Sequence, residues 1–402
     1  MAQDAGRIAG AGHEHEQGRD LLASVGPRLV RYRLDAAGLV EQDALALPLD
    51  VQYASFHPHH PVAYVACSNG GVASPGDRHA LFQVSMDAEG MRLLGQPLAL
   101  PYRPLHVSVD AGRHRVALAY NRPAALTLHT LDSQGLAAAG HVLAEGEDLV
   151  GHFPHQVIPI PGSQDLLLTC RGDDASTANR ENPGSLRVLR QERGAVACVQ
   201  AVAPEGGYGF GPRNCAFHPR KPVLYSVLER QNRLVAFVYR DGAIADTPSW
   251  SVGLLRQPDQ PRRPQLGGAI AMHPGGRYAY VVNRAHPAPA APGAPARCGE
   301  NSIVVFRLDD VTGEPRVLQR VALDGLHARC IALSSDGSIL VAAFRQAGRY
   351  LDDGDVVVSR SAGFASFAVA PSGELSLLRQ DAVETGDASL FWADFTPAHP
   401  AR

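Results

Sequence analysis

A unit made of an apolar run, a turn and a second apolar run recurs along this chain and limits its fold more than any other feature. It reads CAFHPRKPVLYSV at 215–227 and IAMHPGGRYAYVV at 270–282. With the residue before each turn as an anchor, seven anchors follow at intervals of 51 to 62 residues: Pro58, Asp110, Pro161, Pro219, Pro274, Ser335 and Pro397. A repeat of this length, with two visible strands around each turn, is typical of a four-stranded propeller blade. The sequence therefore predicts an all-β fold, a seven-bladed β-propeller.

The two ends of the chain predict how the ring closes. Only residues 398–402 follow the last anchor, so the C-terminus supplies one strand to the last blade. LLASVG (21–26) and RLVRYRL (28–34) match the second and third strands of the unit. A blade shared by both termini leaves no exposed sheet edge. We expect blade seven to combine about residues 15–50 with about 387–402. The propeller then spans 19–402, after a disordered N-terminal tail at 1–18.

Composition and charge exclude several classes of protein. The net charge of −3 lacks the basic excess of a nucleic-acid-binding surface. There is no run of 18 apolar residues and no apolar signal segment at the N-terminus. The six cysteines form no CxxC pair, which favours reduced thiols. We expect a cytoplasmic protein, a monomer or weak homodimer, with no cofactor, no metal, and no nucleic-acid or membrane partner.

Polar side chains recur at two fixed offsets from the anchors. In a hairpin, residues equidistant from the turn centre face each other, which places Arg213 directly opposite Glu229. These positions lie six residues before and ten residues after the anchor Pro219. Applied to the other blades, the same offsets predict a ring at one mouth of the channel. Its further members are His155 with Arg171, Gly268 with Arg284, Arg329 with Arg345, Pro104 with Tyr120, Gln52 with Ser68, and Phe391.

This ring predicts a site for a small anionic molecule. A carboxylate beside an arginine stays ionised and can accept a proton, and an imidazole can donate or accept one near neutral pH. Guanidinium groups bind carboxylates or phosphates through two parallel hydrogen bonds. We expect Glu229, Arg213 and His155 to be catalytic. Substrate binding is expected of the other arginines of the ring: Arg284, Arg329, Arg345 and Arg171. The alternative for Arg213 and Glu229 is a structural ion pair.

One segment of the chain resembles a known family. GPRNCAFHPRKPVLYSVLERQNRLVAF (211–237) is similar to the segment GPRH-x-x-F-x-P…Y-x-x-N-E-x-x-x-x-V of the seven-bladed lactonase family. That family includes the bacterial propeller-type 6-phosphogluconolactonase and the fungal 3-carboxy-cis,cis-muconate lactonizing enzyme. Further similar segments lie at 154–169, 270–286 and 311–343. The resemblance implies a seven-bladed propeller with an active site formed by His155, Arg213, Glu229 and Arg284.

Three hypotheses about function remain open at this point. The first is a metal-independent hydrolase that opens a sugar-acid lactone, similar to 6-phosphogluconolactonase and active in carbohydrate metabolism. The second is a cycloisomerase that acts on a carboxylated muconate. The third is a propeller scaffold without catalytic activity, because a fold does not determine a function. The excess of arginines in the ring suits either enzyme.

Overall fold

The computed structural model describes residues 20–35, 38–71, 74–87, 89–177, 179–240, 242–258, 265–285, 288–289, 296–297, 299–351 and 356–397. Antiparallel strands form seven blades, which confirms the predicted seven-bladed propeller. The chain begins in blade seven with β1 (Asp20–Val25), β2 (Arg28–Asp35) and β3 (Gly38–Ala46). Blade one contains β4 (Asp50–Phe56), β5 (Val62–Ser68), β6 (His79–Asp87), β7 (Gly90–Leu93) and β8 (Leu98–Ala99). Blade two contains β9 (Pro104–Asp110), β10 (Arg115–Asn121), β11 (Ala124–Leu131) and β12 (Ala137–Glu145).

The remaining blades follow in chain order. Blade three contains β13 (Pro154–Pro159), β14 (Leu166–Cys170), β15 (Ser185–Glu192) and β16 (Ala195–Val202). Blade four contains β17 (Pro212–Phe217), β18 (Val223–Leu228), β19 (Arg233–Arg240), β20 (Ala243–Ile244) and β21 (Trp250–Gly253). Blade five contains β22 (Gln265–Met272), β23 (Tyr278–Ala285), β26 (Ser302–Leu308) and β27 (Pro315–Ala322). Blade six contains β28 (Ala328–Leu333), β29 (Ile339–Phe344), β32 (Gly363–Val369) and β33 (Leu375–Ala382), and β34 (Leu390–Phe395) returns to blade seven.

The ring closes between the two ends of the chain, as predicted. Blade seven has the strand order β3-β2-β1-β34, with the last strand of the chain innermost. Its register pairs Leu22 with Asp394 and Ala23 with Ala393. The predicted tail at 1–18 lies outside the described residues.

Few elements lie outside the blades. A small sheet joins β24 (Ala288–Pro289), β25 (Ala296–Arg297), β30 (Gly348–Leu351) and β31 (Val357–Arg360), and so links the connections of blades five and six. In the described part of the chain the helical segments are α1 (Glu147–Val150) and two 3-10 turns, Ala111–Arg113 and Pro204–Gly207. Within the described ranges, therefore, no helix has the length and apolar character needed to span a bilayer.

The core is divided into seven hydrophobic clusters, each between two adjacent blades. The second strand of each blade lies between two of them. In β5, for example, Tyr64 belongs to the cluster shared with blade two and Val65 to the cluster shared with blade seven. Because successive side chains of a strand point to opposite faces and both faces are covered, these strands are apolar at nearly every position. This explains the continuous apolar runs of the repeat.

The histidine of the repeated His-Pro turn joins neighbouring blades. Nδ1 of His218 accepts the backbone N–H groups of Arg220 and Lys221, both at 3.0 Å. The far side of this imidazole packs on Gly276 of the next blade, where an added Cβ would lie 2.8 Å from Cε1. Gly276 also has a φ of +69°, which glycine adopts without steric strain. The His-Pro repeat is therefore a structural signal that closes each turn and fits it to its neighbour.

Replacing His218 by alanine is expected to lower the free energy of unfolding by about 1–2 kcal/mol, because two backbone N–H groups lose their acceptor. Lys221→Ala keeps its own backbone N–H bonded to His218 and serves as the control. Urea unfolding followed by circular dichroism measures both. An equally large loss of unfolding free energy in Lys221→Ala would contradict the assignment of this stabilisation to the imidazole of His218.

Candidate functional site

A cavity of about 690 Å3 lies at the end of the propeller where the innermost strands begin. All seven residues predicted to be catalytic or substrate-binding line it: Glu229, Arg213, His155, Arg284, Arg329, Arg345 and Arg171. They come from blades three, four, five and six. Phe391 of blade seven completes this side of the wall.

A β-bulge near the start of each innermost strand places side chains at the cavity. In six blades one residue has no partner on the second strand: Gln52, Leu105, His155, Arg213, Arg329 and Phe391. In blade five the bulge contains two residues, 268 and 269. A bulge bends its strand and redirects the side chain of the extra residue. All of these single bulged residues except Gln52 line the cavity.

The bulge corrects the predicted register of blade four. Arg213 and Glu229 were expected to lie directly opposite one another, but the backbone N–H of Glu229 donates to the carbonyl oxygen of Gly211. Arg213 is instead the extra residue between Pro212 and Asn214. Its side chain still reaches the carboxylate, with Nε 2.9 Å from Oε1 of Glu229. The two residues meet because the bulge turns Arg213 inward.

Besides Gln52, four other predicted positions of the ring do not line the cavity. Ser68 and Tyr120 are fully buried inside their blades. Pro104 precedes the bulged residue of blade two by one position, so its place in the wall is taken by Leu105. Gly268 lies in the longer bulge of blade five, and Leu266 lines the cavity there. The equal offsets failed in blade two because the bulge lies one residue later, and in blade five because it contains two residues. In blade one the offset does give the bulged residue, but Gln52 does not line the cavity.

Glu229 is a buried carboxylate shared by three arginines from three blades. Its side chain is 7% exposed. Nη1 of Arg171 lies 2.8 Å from Oε2, and both Arg213 and Arg284 contact Oε1. Burial alone would raise the pKa of Glu229, but the charges of Arg284, Arg213 and Arg171 lower it to about 2. The carboxylate is therefore ionised at neutral pH and has both oxygens occupied.

Positive charge in the cavity wall greatly exceeds negative charge. Seven arginines and one carboxylate line the cavity within the described residues; the arginines are Arg103, Arg122, Arg171, Arg213, Arg284, Arg329 and Arg345. Arg329 and Arg345 contact the Phe391 ring, with guanidinium carbons 3.5 and 5.5 Å from its centroid. Arg103 donates to Oε1 of Gln52 at 2.9 Å. No carboxylate in the described part of the chain lies within ion-pair distance of these three arginines.

The charge of Arg329 is the least compensated. Burial and the neighbouring charges of Arg213, Arg284 and Arg345 lower its pKa well below the ordinary value. An arginine nevertheless stays protonated in a protein. Arg329 is partly buried, and a partly buried cation without a counter-ion is less favourable than one with an anion beside it.

His155 is a neutral imidazole facing the arginines. Burial, followed by the charges of Arg213, Arg329, Arg171 and Arg284, lowers its pKa well below the ordinary value. Its Nδ1 atom is buried and has no hydrogen-bond partner in the structure. His155 also lines the cavity, so a neutral ring nitrogen that faces the cavity can accept a proton from a bound molecule.

A second ring of cavity residues escaped the sequence analysis. Arg103, Phe153, Leu266 and His327 all line the cavity. Each stands two residues before the bulge of its blade, or before the first bulged residue in blade five. The offset of minus eight from the anchors would have found three of them, but only the structure shows that the chain at this position still faces the cavity.

The fold and the wall of the cavity define a β-propeller with an arginine-lined cleft at one end. A family model for "Lactonase, 7-bladed beta-propeller" matches residues 29–350, and the chain belongs to this family. The family inferred from 211–237 is thus confirmed.

Individual relatives are distant. The 6-phosphogluconolactonase of Bacillus subtilis is 29% identical over 140 residues, which cover 35% of this chain and only 36% of that relative. The 6-phosphogluconolactonase of Formosa agariphila is 20% identical over 319 residues, covering 77% of this chain and 80% of its own. The structure of the periplasmic gluconolactonase of Pseudomonas aeruginosa matches with a TM-score of 0.71 and 18% identity, covering 94% of this chain and 99% of that one. At that identity the structural likeness shows the fold alone.

Proposed function

We propose that this protein is a hydrolase that opens the lactone ring of an anionic sugar acid, in the manner of a 6-phosphogluconolactonase. The observation that carries the proposal is the charge of the cavity: seven guanidinium groups face one carboxylate. Family membership and the names of the relatives support the choice of a lactone as substrate. The volume of about 690 Å3 accommodates a single sugar-acid lactone with its anionic group.

Hydrolysis requires a base for water and a cation for the carbonyl oxygen. His155 takes a proton from a water molecule whose oxygen attacks the carbonyl carbon of the lactone. Arg213 or Arg284 stabilises the oxyanion of the tetrahedral intermediate. The carbon–oxygen bond of the ring then breaks, and His155 returns the proton to the leaving alkoxide. The product is the open hydroxy acid.

Glu229 serves this reaction better as a positioning group than as the base. Both of its oxygens are held by guanidiniums, so neither is free to take a proton from water. Its negative charge instead holds Arg171, Arg213 and Arg284 at one point. The remaining arginines, Arg329 and Arg345 together with Arg103, hold the anionic group of the substrate.

The pH dependence of kcat/KM tests these ionisation states. The pKa of His155 lies well below its ordinary value and that of Glu229 is about 2, so both groups are already deprotonated above pH 6. We expect kcat/KM to stay constant between about pH 6 and pH 8, since it reports the free enzyme. An imidazole of ordinary pKa would lose half of its base form near about pH 6.5. An acidic limb at that value with an unphosphorylated lactone, which has no phosphate that ionises near about pH 6, would contradict the neutral state of His155.

A pH-indicator assay of purified protein against a set of aldonolactones, with 6-phosphogluconolactone included, tests the proposed activity. Arg213→Ala and Glu229→Gln are assayed in parallel. We expect turnover of a phosphorylated lactone by the wild-type protein and its loss in both variants. Far-UV circular dichroism of each variant controls for folding.

The other outcomes separate the alternatives. Wild-type protein that opens no lactone but removes the diene absorbance of a carboxylated muconate would be a cycloisomerase. Protein that acts on neither compound would be a binding scaffold. Full activity in both folded variants would show that the hydrolysis takes place elsewhere.

A further inference from the structure

Two cavity residues adopt a backbone conformation that glycine would adopt more easily. Phe153 has a φ of 52° and His327 a φ of 50°. Each stands two residues before the bulged residue of its blade. At the same place in blade four stands Gly211, also with a φ of 52°. Blades three, four and six thus share a left-handed residue at this position, and in blades three and six that residue carries a side chain that is strained there.

Both side chains contact a guanidinium that contacts Glu229. The guanidinium carbon of Arg171 lies 4.3 Å from the centroid of the Phe153 ring. Nη1 of Arg284 lies 3.2 Å from Nε2 of His327, and because a guanidinium can only donate, the imidazole nitrogen accepts. Arg171 and Arg284 in turn reach different oxygens of the Glu229 carboxylate.

These contacts hold the arginines without cancelling their charge. An aromatic face attracts a cation, and a neutral imidazole nitrogen accepts its hydrogen bond, but neither brings a negative charge. A carboxylate in either place would orient the guanidinium and also neutralise it. The cavity would then lose attraction for an anionic substrate. Strained residues of this kind persist where the surrounding structure compensates for them, and they cluster at functional sites.

We propose that Phe153 and His327 are positioning residues that orient Arg171 and Arg284 on the two sides of Glu229. The proposal rests on the proposed function, since the orientation matters for the reaction at His155 and Arg213. It explains why the chain retains a side chain at two positions where glycine serves in blade four. Neither residue touches the reacting atoms in this account.

Glycine substitutions separate stability from function. His327→Gly relieves backbone strain, so its melting temperature is expected to equal or exceed that of the wild type. Phe153→Gly is expected to melt close to the wild type, because lost ring contacts and relieved strain oppose each other. In both variants kcat/KM is expected to fall by about 10-fold or more, mainly in kcat, because a misplaced guanidinium stabilises the transition state poorly. If the residue had only a structural role, its substitution would change the melting temperature and kcat/KM in the same direction.

Arg193→Gly is the matched control. Arg193 has a φ of 49° and is exposed in the turn between β15 and β16, away from the cavity. Its melting temperature is expected to hold or rise, with kcat/KM unchanged. Conservative variants provide a rescue: Phe153→Tyr keeps the aromatic face and His327→Gln keeps an acceptor, so both should retain kcat/KM to within about threefold. Phe153→Leu keeps apolar bulk without an aromatic ring and covers the case in which Phe153→Gly does not fold.

The affinity for inorganic phosphate, measured by calorimetry, gives a readout that does not depend on turnover. We expect the dissociation constant to rise by about 10-fold in His327→Gly and Phe153→Leu, because free phosphate, unlike the anionic group of a bound lactone, also reaches Arg171 and Arg284 in the cavity wall. Wild-type kcat/KM and phosphate affinity in both variants would overturn the proposal. Wild-type protein that binds phosphate but opens no lactone would overturn the proposed hydrolase alone. Wild-type protein that neither binds phosphate nor opens a lactone would overturn both the positioning role and the proposed hydrolase.

Discussion

Replacing Glu229 by glutamine is expected to lower kcat/KM for the lactone by about 10³-fold, because the charge that holds three guanidiniums together disappears. Arg171, Arg213 and Arg284 would then repel one another in a buried space. We also expect a loss of about 3 kcal/mol in the free energy of unfolding, since buried cations are left without a partner. Steady-state kinetics and urea unfolding measure the two effects.

Asp165→Asn is the control for the Glu229 experiment. Asp165 is likewise a buried carboxylate, 2% exposed in its side chain, and pairs with Arg190 at 2.8 Å. It lies in the turn at the far end of blade three, so its loss should reduce stability and leave kcat/KM unchanged. A Glu229→Gln protein with nearly wild-type activity would show that the ion network serves the fold only.

Replacing Arg329 by methionine is expected to raise stability and weaken substrate binding. Burial and three neighbouring arginines disfavour the charge of Arg329, and no carboxylate of the described chain compensates it. An apolar side chain of similar length should therefore increase the free energy of unfolding by about 1 kcal/mol. The KM for a phosphorylated lactone should rise by about 10²-fold, since a desolvated charge contact is lost.

An uncharged aldonolactone is the control substrate for Arg329→Met. Its KM should change little, because it has no anion for the guanidinium to bind. Arg307 lies on the third strand of blade five and its side chain is 66% exposed, so Arg307→Met should leave the stability and both KM values unchanged. Equal losses for charged and uncharged lactones would assign Arg329 to the reaction centre instead of to an anion-binding subsite.

The chain's own pattern was enough to predict the propeller and most of the charged residues in the wall of its cavity. Strand alternation, turn chemistry and repeat spacing are local properties, and seven copies of them define seven blades. Residues at the same position of each repeat also occupy the same place in each blade of the ring. For this reason Arg171, Glu229, Arg284 and Arg345, ten residues after their anchors, all reached one cavity.

Only the tertiary structure decided how these side chains meet. The bulge at Arg213 shifts the register by one residue, and hairpin symmetry cannot predict an insertion that depends on the neighbouring blades. The left-handed backbone of Phe153 and His327 likewise has no signal in residue type. The depressed pKa of Glu229 arises from guanidiniums of three blades, separated by more than 40 residues along the chain. The repeat determined which residues reach the cavity, whereas their ionisation and orientation depend on contacts between blades that local sequence does not encode.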